Sequence, residues 1–362
     1  MRKEQIAKLA SELKAAKLPG ILVCPSEELL FLTGFTPMMC ERFQGLFIND
    51  SGAYAYVCSK LYTGEIEHAY GDTMPIFQWM DGESMTDAVS QALERLGLQA
   101  KNIGVNSTAP AFNTLKIEEE CGIHFVPATD VLEEARIIKN EEEIQNLRDS
   151  AKVADAAFSD VIKFIKPGLK EADIKDFLSA KMIERGGEKT WTLVATGPNS
   201  SFSHYLGTER VIEKQDIVLL DFGCVYKGMY SDMSRMVFVG GVTEEQKKIY
   251  EIVLRANKAS EAAAVTGAFI PDVDAAARDI ITKEGYGDNF INRVGHGIGY
   301  MIHEGPYIVK NNKRNLVPGM AFSIEPGIVL PKKFGMRVED IVLTTESGNE
   351  ILNKSSTDLI IV

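Results

Sequence analysis

The sequence predicts a two-domain α+β protein: a small α/β domain over residues 1–130, then residues 131–362 forming helices on a curved antiparallel sheet, built as two similar halves. Three observations carry this. At 362 residues the chain exceeds what one ordinary core serves, since domains cluster near about 100–200 residues. The first third alternates short apolar runs with helical patterns, the texture of an α/β domain. The remainder runs from helices to strands twice over, an internal pseudo-duplication without a visible sequence repeat.

Each element follows from local pattern. Ile6, Leu9, Leu13 and Leu18 recur at helical spacing among dispersed charges, which predicts an amphipathic helix over 3–17 and not a signal peptide. GILVC, GLFIND and AYAYVCS read as strands, a helix is expected over 85–96, and NIGVN and IHFVP read as short strands. Phe31, Phe35 and Phe43 fit the core better than an interface. At VPATDVLEEARIIKNEEE the texture changes: Asp130 reads as a helix N-cap, placing the domain boundary near residue 130, and a long charged helix starts near 140–143. Helices are then expected over 141–166 and 170–186, strands over 190–240, helices over 243–264 and 271–284, and strands again over 318–345.

Composition narrows the function classes. The chain is 45% hydrophobic and 25% charged, as in a soluble globular protein, and no apolar run approaches the roughly 18 residues of a membrane span. A formal charge of −12 without a basic patch argues against nucleic-acid and anionic-membrane partners. Five scattered cysteines, odd in number and never in a CxxC pair, exclude a disulfide framework or zinc ribbon. They fit a reducing cytoplasm, each as a buried thiol.

The most informative stretch is DIVLLDFGCVYKGMYSDMSRMVFVG, residues 216–240, where two strand-like runs flank Tyr226-Lys227-Gly228 as a hairpin turn. A two-residue turn puts Asp221 and Asp232 on one face, opposite or diagonal, within roughly 5 to 8 Å; a one-residue bulge would separate them. A lone aspartate usually ends solvated at a strand end, but two facing carboxylates in a half-buried sheet repel unless a cation sits between them.

Of five histidines, two lie in GHGIGYMIHE: His296 between glycines that admit a close backbone approach, and His303 seven residues on, placed by neither helix nor strand parity. Glu325 ends the apolar strand MAFSIEPG. Glu339 follows in GMRVED, where alternation puts Arg337 on its face. Arg337 can answer one buried carboxylate in an ion pair; it cannot answer four. Four carboxylates and a histidine make an oxygen-rich set suited to two divalent ions, favouring manganese or cobalt over a single structural zinc, with zinc still admissible in a two-metal site.

On LLDFG, YSDMSR, GHGIG with HE, SIEPG and RVED, in order and spacing, the chain resembles the pita-bread metallopeptidases, the group of methionine aminopeptidase, aminopeptidase P and prolidase. The likeness continues through ARIIKNEEEIQNLRDSA and ATGPNSSFSHY, and the first segment, including FLTGF, resembles the creatinase/prolidase-type N-terminal domain. The resemblance implies a pita-bread fold, two metal ions on Asp221, Asp232, His296, Glu325 and Glu339, with Asp232 and Glu339 bridging, and hydrolysis of a peptide bond preceding proline. It implies that Glu325 takes the proton from the attacking water, that His303 stabilises the tetrahedral intermediate, and that His204 meets the scissile carbonyl or the substrate carboxylate. Arg337 would orient a metal-site glutamate or bind substrate. A homodimer is also implied.

Four positions depart from the prolidase pattern: Tyr307 replaces the arginine after HExP, Ser203 the proline before His204, Met229 a tyrosine, and Glu28 an asparagine. These touch the substrate rather than the metals and leave Xaa-Pro dipeptidase and Xaa-Pro aminopeptidase both open. The competing readings are a C–N hydrolase acting on a non-peptide amide and a non-catalytic binding protein; the latter should have lost metal ligands, and none is lost.

Overall fold

Helix α1 (Lys3–Ala15) buries Ile6, Leu9 and Leu13 on the expected face and leads into β1 (Gly20–Val23), every residue of which is buried. The computed structural model describes residues 1–71 and 74–362 and divides into two units, Met1–Arg136 and Ile137–Val362.

In the first unit α2 (Glu27–Thr33), β2 (Gly45–Asn49), β3 (Tyr54–Ser59), α3 (Thr63–Tyr70), β4 (Ile76–Trp79), α4 (Met85–Leu96), β5 (Asn102–Val105), α5 (Ala111–Cys121) and β6 (His124–Pro127) follow. The strands form a six-stranded mixed sheet in the order β4-β3-β2-β1-β5-β6. Leu22, Phe47, Val57, Val89, Leu93 and Ile103 pack between sheet and helices. Helices α2, α3 and α5 have no counterpart in the sequence prediction. α2 has only seven residues, too few for a period to show, and is set by its ends: the Ser26 hydroxyl accepts from the Leu29 amide, and Gly34, at φ 85°, stops it. Phe31 and Phe43 are core residues, and Phe35 is half-buried.

Helix α6 (Thr129–Ile137) corrects the expectation at residue 130. Asp130 lies in its first turn rather than at its cap, and Arg136 is held 3.5 Å from the buried Glu28, so the units divide at 136/137.

The second unit opens with α7 (Glu141–Phe164), started by a capping box in which Asn140 accepts from the Glu143 amide and Glu143 from the Asn140 amide. α8 (Glu171–Ile183), β7 (Lys189–Thr196), β8 (Ile217–Tyr226), β9 (Met229–Tyr230) and β10 (Met233–Phe238) complete the first half. α9 (Glu244–Ala263), α10 (Ile270–Lys283), β11 (Gly295–Gly297), β12 (Glu304–Ile308), β13 (Ala321–Ile324), β14 (Gly327–Leu330), β15 (Phe334–Arg337), β16 (Asp340–Thr345), β17 (Gly348–Ile351) and β18 (Ile360–Ile361) make the second. Phe158, Val161, Ile174 and Leu178 seat α7 and α8 on β8 and β10 through Leu220, Phe222 and Val237. Ile249, Val253, Val273 and Ala277 seat α9 and α10 on Phe322, Ile324 and Val342.

The duplicated helix-then-strand plan is present, but the sheet is not continuous. β18-β10-β8-β7, with β9 added to β8, and β12-β11-β13-β16-β17 are separate five-stranded sheets, and a bridge between Ser234 and Glu339 joins them. The strand-rich expectation also fails between β7 and β8, where a short 3-10 turn (Gly197–Ser201) and a loop carry His204.

The five cysteines are free; Cys24, Cys58 and Cys224 are buried, whereas Cys40 and Cys121 are partly exposed, which corrects the expectation that all are buried. No helix among the described residues is long and apolar enough to cross a membrane.

Candidate metal centre

The hairpin of β8, β9 and β10 turns on Lys227-Gly228, at φ 47° and 81°, the signature of a type I′ turn. Its register runs without a bulge: Tyr226 pairs with Met229, Phe222 with Met233 and Asp221 with Ser234. Asp232 therefore lies diagonally from Asp221 on the same face. Both carboxylates are buried.

Across the seam, Glu325 leaves the end of β13 and Glu339 immediately precedes β16. Asp232, His296 and Glu339 each present a ligand atom within 4.8 Å of the others. His296 Nε2 stands 3.6 Å from Asp232 Oδ2 and 3.3 Å from Glu325 Oε1. Its Nδ1 lies 3.0 Å from the Gly297 carbonyl, which can only accept, so the proton sits on Nδ1 and the Nε2 lone pair faces the carboxylates.

Arg337 is the cation among these acids. It pairs with Asp221, donates from Nε to the Ser234 hydroxyl at 2.8 Å, and lies 4.0 Å from Glu325 and 3.9 Å from Glu339. The Ser234 hydroxyl in turn donates to Glu339 at 2.7 Å. Arg337 thus makes its closest ion pair with Asp221 and reaches both glutamates, one of which was the expected partner, at longer range.

One cation does not satisfy four acids. Asp221 Oδ1, Asp232 Oδ1 and Glu339 Oε1 are buried without a hydrogen-bond partner. Burial, then Glu339, Asp221 and Glu325, push the Asp232 carboxyl well above its ordinary value; burial, then Glu325 and Asp221, do the same to Glu339. Burial lifts Glu325 to about 7 against the pull of Arg337. Burial and the neighbouring His303 lower His296 to about 3, so its imidazole is neutral at neutral pH. Orphaned oxygens and a neutral, anchored imidazole are what divalent cations complete, and the donor set fits them.

His303 lies in the loop before β12, its ring perpendicular to that of His296 at 4.3 Å between centroids. Exposed His204 borders two cavities, of about 530 and 370 Å³, that meet at the cluster and share His204, His303, Glu325 and Arg337. The larger is walled by Ile291, Arg293, Val329 and Met336, the smaller by Lys175, Trp191, Leu193 and Leu206, with the acidic groups at its floor.

Sequence reasoning missed the groups that aim these side chains. Buried Asn257 on α9 donates to the carbonyls of Ile324 and Val338, the residues immediately before Glu325 and Glu339. Buried Arg235 donates to the Glu339 carbonyl at 2.7 Å and to Asp340 at 2.6 Å. YSDMSR already contains Arg235, but nothing in the sequence distinguishes Asn257 from an ordinary helix-surface residue.

The glycines around His296 serve strand packing. A Cβ at Gly295 would fall 1.8 Å from the Ser323 carbonyl oxygen, and one at Gly297 would fall 1.9 Å from that of Gly305. Gly297→Ala is therefore expected to displace the His296 ring and weaken binding of a divalent metal by about tenfold or more, read by calorimetric titration. Unchanged affinity would break the proposed link between strand spacing and ring position.

The sequence pattern described as Metallopeptidase family M24 matches residues 145–346, and that of the Creatinase/Prolidase N-terminal domain matches residues 5–138. The chain is 34% identical over 362 residues to a probable dipeptidase PepE of Mycobacterium tuberculosis, covering 99% of this chain and 96% of the relative. It is 31% identical to a Xaa-Pro dipeptidase of Pyrococcus horikoshii, covering 99% of each. Among solved structures, a recombinant prolidase from Thermococcus sibiricus superposes with a TM-score of 0.92 at 33% identity over 100% of both chains. The buried acid cluster thus lies within the stretch that matches a metallopeptidase pattern, in a fold shared over the whole chain with a solved prolidase, and the protein belongs to metallopeptidase family M24, the pita-bread metallopeptidases.

Proposed function

We propose that the protein hydrolyses the peptide bond preceding proline in small peptides, with two divalent ions, manganese by preference, held by Asp221, Asp232, His296, Glu325 and Glu339. The observation that carries this is the set of unpartnered buried oxygens around His296, lying where two cavities meet. The full-length relatives named Xaa-Pro dipeptidase support the choice of substrate. When bound, the ions supply Lewis acidity that activates water near neutral pH and offsets charge developing on the carbonyl oxygen.

The side chains do the rest. Glu325, bordering both cavities, takes the proton of the attacking water. His303, beside His296, donates to the tetrahedral intermediate, and His204 meets the carbonyl or the substrate carboxylate from its loop. Arg337 holds Asp221 and orients Glu325 and Glu339. The acidic floor of the smaller cavity suits the substrate's ammonium end, which leaves the larger cavity for the proline. A cytoplasmic homodimer without nucleic-acid or membrane partners completes the reading, supported by the −12 charge and the free thiols.

The test is hydrolysis of a Xaa-Pro dipeptide and of the same peptide extended by several residues, with Mn2+ and after chelation. Metal-dependent cleavage confined to the dipeptide identifies a dipeptidase, and cleavage of the longer peptide an aminopeptidase. Cleavage of neither would remove Xaa-Pro peptides as substrates and leave the non-peptide amide. Light scattering checks the dimer.

A further inference from the structure

The larger cavity presents two guanidinium groups, and they are differently engaged. Arg337 is committed to Asp221 and Ser234. Arg293 is half-buried, lines the same wall, and pairs with no carboxylate among the described residues. Its guanidinium instead lies over the ring of Tyr307, 5.0 Å from the centroid. A planar cation stacked on an aromatic face keeps its edge donors free and loses rotamer freedom before any ligand arrives. Its charge is felt at the reacting centre, where it helps hold His303 down to about 4, after burial.

The remaining wall mixes apolar Ile291, Val329 and Met336 with the neutral polar Ser200, Ser203 and Asn292, and its one carboxylate, Glu325, stands at the inner end beside His296, so among the described lining residues Arg293 is the cation not committed to an acid. A bound peptide with its ammonium end over the acidic floor of the smaller cavity extends its leaving residue into the larger one. For a dipeptide, that residue carries the free carboxylate. We infer that Arg293, braced by Tyr307, is the specificity-determining receptor for the substrate's terminal carboxylate, so that the enzyme is a dipeptidase despite a tyrosine at the expected arginine position. This rests on the Xaa-Pro reading above. Two or more N–H donors of the guanidinium edge meet the carboxylate, a charge-assisted contact that an amidated or extended peptide cannot make.

The experiment compares Ala-Pro with Ala-Pro-amide, using the metal-loaded full chain, its Arg293→Gln variant and its Arg293→Lys variant. Calorimetric binding of proline and of prolinamide to the same three proteins runs in parallel. The parent should prefer the free acid by about tenfold or more in kcat/KM, carried by KM. In R293Q the acid-to-amide ratio should fall towards one, R293K should keep part of it, and the preference for proline over prolinamide should follow the same order. Equal handling of acid and amide by the parent overturns the carboxylate receptor while leaving Xaa-Pro hydrolysis in place. So does a loss in R293Q that is equal on both peptides, which is the mark of a merely structural role. If neither peptide is cleaved yet proline binds better than prolinamide through Arg293, the receptor stands and the Xaa-Pro reading falls.

Discussion

Asp232→Asn, prepared without metal, should melt above the metal-free parent while its metal-dependent hydrolysis falls by more than about 10³-fold. The two effects have one origin. Asp232 is buried with an unpartnered oxygen, and its neighbours Glu339, Asp221 and Glu325 are acids that outnumber the one cation ion-paired among them, Arg337. An amide of the same shape removes one member of that repelling set, and the metal-free fold gains about 1–2 kcal/mol. It also removes a ligand atom from the Asp232–His296–Glu339 constellation. Differential scanning calorimetry of both proteins after chelation, with a parallel assay in Mn2+, reads the two effects. A lower melting temperature for the variant would show that the acids do not repel in the empty fold, and retained hydrolysis would remove Asp232 from the reaction.

Arg235→Met should have the opposite sign in stability, and a larger magnitude. Arg235 is 1% exposed, pairs with Asp340 at 2.6 Å and bonds the carbonyls of Ser234, Glu339 and Ser355. Burial pushes the Asp340 carboxyl up, and Arg235, a hydrogen bond with Glu261 and the charge of Lys258 hold it below its ordinary value. Methionine fills the space but leaves Asp340 with the half-exposed Lys258, at 3.4 Å, and the Glu261 carboxyl, and without its buried cation. Breaking one side of a buried pair costs about 3–5 kcal/mol. Urea unfolding measures it, and an Arg235→Met, Asp340→Leu double variant should recover most of the loss. A single variant within about 1 kcal/mol of the parent would mean that Lys258 and Glu261 already satisfy Asp340.

What the sequence revealed, and what it hid, follows from range. Helices such as α4 and α9 were legible because a stripe of apolar residues repeats over several turns, and the side-chain parity of Asp221 and Asp232 because a two-residue turn fixes register. The short α2 was not, since seven residues hold too little period and its stop depends on Gly34. The split of the expected sheet was equally hidden, because strand patterning specifies faces and says nothing of which strands pair across 100 residues. In the site, the acids and His296 stood out by type and motif. Arg293 did not, although it lies three residues before His296, because its meaning depends on the Tyr307 ring and on a cavity that exists only once the strands are assembled. Asn257 was hidden for the same reason: its two acceptors are 67 and 81 residues away.

The Ser234–Glu339 bridge gives the two halves of the second unit a shared economy of folding and binding. Asp221 and Asp232 come from the first half, and His296, Glu325 and Glu339 from the second, so ions held by this proposed set would act as staples across a seam that carries little continuous hydrogen bonding. Free energy released on gripping them is also adhesion between the halves, and the strength of that adhesion rises with free metal concentration by mass action. A chain nicked in the connection between Phe238 and Glu244 would yield two pieces whose reunion titrates with metal, and whose separation a chelator drives.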